Sequence, residues 1–222
     1  MGAQQPESTS NVELIRDEKG LALVSDGMIV RADFSELLPR VRQDRLGHEL
    51  LVRAAKIKGA SNHTVIDATA GLGEDAFLLA AAGFTVELYE RDPTIAALLR
   101  DGLERAATDP ASTDIVSRMH LHEQDSVSAL AALEQSPDVV YLDPMFPERS
   151  KSAAVRKKMQ LMQRIEHPTT AEDETALVEA ARTTHPRKIV IKRPVKGPWL
   201  ANIKPSYSIT GTSVRYDVLV SQ

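Results

Sequence analysis

The sequence predicts an α/β fold: a doubly wound, mostly parallel sheet of seven strands that closes with an antiparallel C-terminal hairpin, preceded by a small antiparallel β meander. Three observations predict it. From residue 64 onward, short apolar runs alternate with helix-spaced segments, the pattern of a parallel sheet with crossover helices. The last two apolar runs, 207–210 and 216–220, have no helix between them and read as an antiparallel pair. Residues 12–33 are short apolar runs cut by Asp/Gly turns.

In chain order, the first ten residues carry no apolar stretch and read as a flexible tail over 1–10. Val12 to Arg16, Leu21 to Val24 and Met28 to Ala32 form the meander. Residues 35–57 have helical spacing in Leu37, Leu38, Val41, Leu46, Leu50, Leu51, Ala54 and Ala55, broken at Pro39. Together these make a small N-terminal module over 11–58, and residues 59–222 make the sheet domain. Strands follow at Thr64 to Asp67, Thr85 to Glu90, Met119 to His122, Val139 to Leu142 and Lys188 to Lys192. Helices are expected at Asp75 to Ala82, from Pro93, around Val127 to Leu133 and over Ala171 to Ala181. Pro93 suits a first helical turn, where its missing N–H has no partner to lose.

Composition narrows the function class. There are no cysteines among 222 residues, so disulfides, thiolate metal sites and cysteine nucleophiles are excluded, and a cytoplasmic setting is expected. No apolar run approaches the roughly 18–20 residues that cross a bilayer, so no membrane role is expected. The net charge of −4 hides an uneven distribution. Residues 149–164 carry Arg149, Lys151, Arg156, Lys157, Lys158 and Arg164, and residues 187–204 carry Arg187, Lys188, Lys192, Arg193, Lys196 and Lys204. Two basic stretches on an otherwise acidic body suit a polyanion, with Lys151, Arg156, Lys157, Lys158, Lys192 and Arg193 as candidate RNA contacts. Plain solvated surface is the competing explanation. His120 and His122 alternate on a strand without a third ligand nearby in sequence, and no metal site is expected.

The chemistry lies at strand ends. Asp67-Ala68-Thr69-Ala70-Gly71-Leu72-Gly73-Glu74-Asp75-Ala76 follows the first long strand. Gly71 and Gly73 allow a tight turn and close approach of a ligand, Asp67 can order that loop or face a cationic group, and Glu90 can accept ribose hydroxyls. A nucleoside ligand follows, with NAD and S-adenosylmethionine both open at this point. Asp125 and Ser126 follow the third strand of the sheet, where an acid can accept an adenine amine and where both can also cap a helix.

The fourth strand separates the two cofactors. Val139-Val140-Tyr141-Leu142 runs into Asp143-Pro144-Met145-Phe146-Pro147, which resembles the D/N-P-P-Y/F signature of amino-group methyltransferases. An exocyclic amine conjugated to a base is a weak nucleophile. The Asp143 carboxylate and the Pro144 carbonyl can each accept one of its N–H groups, and Phe146 offers a face on which the base stacks. Alignment and electrostatics then supply the acceleration.

Three segments carry a closer resemblance: DATAGLGEDAFLLAAAGFTVELYERDPTIAALLRDGL at 67–103, VVYLDPMFPERSKSAAVRKKM at 139–159, and RKIVIKRP at 187–194 with LAN at 200–202. They closely resemble the ribosomal RNA small subunit methyltransferase J family, over roughly residues 44–220. The resemblance implies a Rossmann-like class I methyltransferase that forms N2-methylguanosine at one guanine of 16S rRNA, with S-adenosylmethionine as cofactor. It also implies the 16S rRNA or the small ribosomal subunit as partner. By resemblance, the cofactor contacts fall at Glu74, Asp75, Glu90, Arg91, Asp125, Ser126 and Asp143. Glu74 stands where an arginine is usual in the family, and Asp125 where a serine is usual. The meander matches the family loosely, leaving RNA docking and structural support both open.

Other readings share parts of the pattern. An amine or amide methyltransferase acting on DNA adenine or a protein side chain would use the same Asp143 motif. An NAD oxidoreductase would use the glycine loop and Glu90 but leave Asp143 idle. A non-catalytic RNA-binding protein would need only the basic stretches.

Overall fold

The computed structural model describes residues 12–59, 63–144, 161, 165 and 169–221. Its larger sheet contains β4 (Thr64–Asp67), β5 (Thr85–Tyr89), β6 (Met119–His122), β7 (Val139–Leu142), β8 (Lys188–Pro194), β9 (Tyr207–Thr210) and β10 (Val214–Val220), in the order β6-β5-β4-β7-β8-β10-β9. The five central and left-hand strands pair in parallel. β10 pairs antiparallel with both β8 and β9. This is the seven-stranded sheet with a terminal hairpin that the alternation predicts.

The helices cover both faces because each crossover must return over the sheet. α1 (Gln43–Leu46), α2 (Leu50–Ala55), α3 (Glu74–Ala81), α4 (Pro93–Ala107) and α5 (Thr113–Val116) precede β6. α6 (Ser126–Ala131) and α7 (Ala171–Thr183) follow it. One core joins Val65, Val86, Tyr141, Val190 and Val218 of the sheet to Ala54, Phe77 and Leu79. The other joins Ile66, Val140, Ile189 and Ile191 to Leu130, Leu177 and Val178. Neighbouring residues of one strand thus serve opposite cores, as the two-residue period of a strand requires. α4 opens with Pro93 behind the Asp92 side chain, which accepts from the N–H groups of Thr94 and Ile95.

Three details differ from the expectation. The helix-spaced segment 35–57 resolves into a short 3-10 turn, Ser35–Leu37, and the separate helices α1 and α2, because Pro39 and Gly47 interrupt it. α5, a single turn, carries no amphipathic pattern long enough to read. β8 and β10 each run two residues beyond their apolar segments, since Pro194 pairs with Val214 and Arg193 with Arg215. The charged tips join the ladder because their side chains find partners inside the fold.

β1 (Glu13–Asp17), β2 (Gly20–Ser25) and β3 (Met28–Val30) form the expected meander. It docks on α4: Leu23 and Val30 pack with Ile95 and Leu98. At Gly102 a Cβ would meet the Ala32 Cβ at 2.6 Å, so only glycine lets the helix approach this closely. Asp101, 4% exposed, accepts from Leu21 N–H (3.0 Å), Arg16 Nη1 (2.7 Å) and Arg105 Nε (2.8 Å). Burial works against its charge, but the Arg105 and Leu21 hydrogen bonds outweigh burial and hold its pKa below the ordinary carboxylate value.

Removing this anchor should therefore show in stability. Asp101→Ala is expected to cost about 1–3 kcal/mol at neutral pH in urea denaturation. A depressed carboxylate pKa contributes stability above the unfolded value, near pH 4, and loses it as pH falls through the folded value. The cost should accordingly shrink in acid. An unchanged midpoint at neutral pH would mean that apolar packing alone docks the meander.

Candidate active site

β4 has β5 on one side and β7 on the other, so the connections leaving β4 and β7 diverge and open a crevice at the strand ends. The glycine loop on one wall is held by its neighbours. The Ala68 N–H donates to Tyr141 O (3.0 Å) and Thr69 N–H to Asp67 Oδ1 (3.1 Å). Ala70 N–H donates to Tyr89 O (3.1 Å), Gly71 N–H to Glu90 Oε2 (2.9 Å), and Gly73 N–H to Ala70 O (2.8 Å). These five donors point into protein, whereas a phosphate-cradling loop points its donors at the ligand.

The two glycines differ. Both have positive φ, 53° at Gly71 and 76° at Gly73. A Cβ at Gly71 would meet nothing within 4 Å, so this position faces open space. A Cβ at Gly73 would lie 2.7 Å from Leu99 Cδ1, which makes Gly73 a packing glycine beneath α4. Glu90 is 6% exposed and also accepts from Asp92 N–H (2.8 Å). Burial raises its pKa, and these backbone donors oppose the rise. Asp67 is 1% exposed, and burial pushes it up to about 8.

The opposite wall is the end of β7. Asp143 N–H donates to Thr69 Oγ1 (2.7 Å), which ties the strand end to the glycine loop. Asp143 Oδ2 accepts from Lys192 Nζ at 2.8 Å. The same ammonium reaches Asp75 Oδ2 at 2.7 Å, and the Tyr141 hydroxyl donates to that oxygen at 2.6 Å. Asp67, Asp75, Glu90 and Asp143 thus all belong to the crevice or its floor. With Asp67 protonated, the field of Asp75, Glu90 and Asp143 suits a cationic nucleoside ligand and opposes a pyrophosphate.

The remaining expected residues take varied positions. Asp125 caps α6 by accepting from Ser128 N–H (2.9 Å), and Ser126 is buried behind it. Glu74 and Arg91 are exposed near the loop and the end of β5. Pro144 is buried directly after Asp143. Phe146, Lys151, Arg156, Lys157 and Lys158 lie outside the described residues.

The second basic stretch is not assembled into one patch. At about 3.3 Å per residue, β8 carries Lys188 and Arg193 to opposite ends of the sheet. Lys188 Nζ donates to the carbonyls of Ala54 and Lys56. Arg193 is 1% exposed, with Nε on Pro198 O (2.9 Å) and Nη1 3.5 Å from Glu174 Oε1. Lys192 belongs to the acid cluster. Both residues expected to meet RNA here thus have partners within the protein, because alternation along a strand sends consecutive cations to opposite faces.

Reading the sequence missed Thr69, Tyr141 and the bridging role of Lys192. A hydroxyl two residues past Asp67 and a tyrosine two before Asp143 carry no motif signal. His122 pairs with Glu87 at 2.6 Å and stacks on Tyr89, and among the described residues no group of three potential ligands can hold a metal.

Comparison with known proteins places this geometry in context. The family model of SAM-dependent methyltransferases matches residues 3–221. A ribosomal RNA small subunit methyltransferase J of Neisseria gonorrhoeae is 41% identical over 219 residues, covering 97% of this chain and 86% of that protein. The protein of that name from Cellvibrio japonicus is 43% identical over 228 residues, covering 96% and 85%. The crystal structure of a SAM-dependent methyltransferase from Neisseria gonorrhoeae aligns with a TM-score of 0.77 at 35% identity, covering 99% of this chain and 86% of that one.

The buried Asp67 gives a pH test. A carboxyl raised from about 4 to about 8 on folding holds its proton in the native state, so stability falls as pH rises between those values. Asp67→Asn should reduce that fall in the ligand-free protein, while still accepting from Thr69 N–H. Equal pH slopes for the two proteins would show that Asp67 is charged in the native state at neutral pH.

Proposed function

The chain belongs to the ribosomal RNA small subunit methyltransferase J family of SAM-dependent methyltransferases, and we propose that it forms N2-methylguanosine in 16S rRNA. The observation that carries the reading is Asp143 at the end of β7. It is fixed by Thr69 of the glycine loop and by Lys192, and Gly71 of the same loop leaves open space where a side chain would stand.

The crevice fits S-adenosylmethionine. Gly71 leaves room where a side chain would intrude, Glu90 stands at the end of β5 where ribose hydroxyls are accepted, and Asp125 with Ser126 stands at the end of β6 for the adenine. Asp75 and Asp143, two carboxylates that share one ammonium, leave this wall a net negative charge that favours the sulfonium and ammonium groups. When bound, the cofactor supplies a methyl group that the amine nitrogen takes as the carbon–sulfur bond breaks. Asp143 and the Pro144 carbonyl each accept one amine N–H, which turns the nitrogen lone pair toward the methyl group. The Asp143 carboxylate also stands ready to accept the proton that the methylated nitrogen sheds.

A guanine N2 amine inside a helix faces the minor groove, so the nucleotide has to turn out before an in-line transfer. Phe146 would stack on that base, and the basic stretch 149–164 would hold the backbone. On the rim after β8, Lys196 is exposed and Trp199 is 42% exposed, which adds charge and a stacking surface there. The choice of guanine over adenine rests on family membership, since both bases present a similar amine. The reading implies a cytoplasmic protein; among the described residues no helix is long and apolar enough to cross a membrane.

Single-turnover methylation of unmodified small-subunit RNA or particles, followed by digestion to nucleosides, tests the proposal. Label is expected in N2-methylguanosine. Asp143→Ala should slow the reaction by roughly 100-fold or more, as loss of a positioning group at the reacting centre does. Label in N6-methyladenosine, or none in RNA, would overturn the substrate. A near-normal rate for Asp143→Ala would overturn the site.

A further inference from the structure

Lys192 lies near the end of β8, on the sheet face that also carries Lys188 and Val190. Its ammonium sits 2.7 Å from Asp75 Oδ2 and 2.8 Å from Asp143 Oδ2, joining the first turn of α3 to the end of β7. The side chain is 25% exposed, against 19% for Asp75 and 31% for Asp143. Among the described residues, the surroundings also hold Asp67 from β4, Tyr141 from β7, Tyr216 from β10 in register with Lys192, and Arg40 from the segment before α1. Arg40 itself forms a bidentate pair with Glu49.

Three carboxyls and two phenols therefore meet around one lysine. Carboxylates this close repel, and without a cation one of them takes up a proton. Burial works to remove the charge of Lys192, but Asp143 and Asp75 outweigh it and hold its pKa well above the ordinary value. A lysine engaged by two carboxylates at these distances is poorly placed to serve a phosphate, since leaving would strand both acids.

We propose that Lys192 is a positioning residue for methyl transfer: its ammonium, bridging Asp75 and Asp143, holds the Asp143 carboxylate charged and in one orientation toward the substrate amine. The inference rests on the reading of Asp143 as the amine acceptor. A charged carboxylate accepts at both oxygens, so engaging Oδ2 fixes the plane in which the group receives an N–H. Without the ammonium, Asp75 and Asp143 share a proton and titrate as a pair, and the acceptor is lost until the pH is high enough to remove it.

Single-turnover rates from about pH 6 to about pH 9 test this, alongside RNA binding at several salt concentrations. All variants are made in an Asp67→Asn background, which removes the neighbouring carboxyl raised to about 8, and there the enzyme with Lys192 intact should show a flat acid side. Lys192→Met should show an acid limb, with the rate at the low end down by about tenfold or more relative to its own high-pH rate. Lys192→Arg should restore the flat profile. Lys192→Gln removes the charge while keeping a polar amide donor, so it should show the same acid limb and serves if the methionine variant does not fold. The salt dependence of RNA binding should be unchanged in each. A flat profile in Lys192→Met or Lys192→Gln would overturn the proposal, as would a fall of about 0.7–0.9 in the salt slope, the mark of a lost phosphate contact. Asp143→Ala separates the two failures: activity there removes the acceptor reading itself, whereas inactivity there with a flat Lys192 profile removes only the role of Lys192.

Discussion

Strand β4 has its successor β5 on one side and the later β7 on the other. That reversal of strand order is the constraint on which the site depends. Two connections leave neighbouring strand ends in opposite directions, and nothing in the ladder closes the space between them. The protein bridges that space with particular contacts instead: Ala68 N–H to Tyr141 O, and Asp143 N–H to Thr69 Oγ1. The crevice is consequently firm at its floor and open at its mouth. A loop fixed from both sides does not have to reorganise when a ligand arrives, which is the economy that preorganised sites exploit.

Within that frame, electrostatics select the ligand and prepare the chemistry. Loop N–H groups that already bond to Tyr141, Asp67, Tyr89 and Glu90 offer little to a pyrophosphate. The carboxyls of Asp75, Glu90 and Asp143 favour a cation. The same glycine spacing that allows a dinucleotide in sequence thus acts differently here because its donors turn inward. Lys192 moderates the acid cluster at one point, where Asp75 and Asp143 approach each other. Arg193, its neighbour in the chain, points to the other face and secures the loop after β8 with Arg215, whose Nη1 gathers the carbonyls of Pro194, Val195 and Gly197. Adjacent cations on one strand therefore do unrelated work.

The fold was largely legible because its signals are periodic and local. Among the described residues, all ten strands lie at or within about two residues of the runs that predict them, and Pro93 opens α4 where expected. The glycine loop, Glu90 and Asp143 were legible because each sits at a strand end, a position that sequence can locate. The cluster around Asp143 was not, since Thr69, Asp75, Tyr141 and Lys192 come from four elements and meet only through pairing order. The charge run at 187–204 does not form one patch for the same reason: proximity in sequence becomes separation along and across a strand. Asp101 and Gly102, which seat the meander, were equally silent, because a close helix–strand approach leaves no pattern in either segment alone.

The central claim is that the crevice between β4 and β7 holds the methyl donor with its reactive end at Asp143. A crystal structure of the protein with S-adenosylhomocysteine, the demethylated product, tests it most directly. The account predicts the ribose hydroxyls on Glu90, the adenine beside Asp125 and Ser126, and the sulfur facing Asp143 across Gly71. A product molecule bound with its sulfur away from Asp143, or seated outside this crevice, would contradict it.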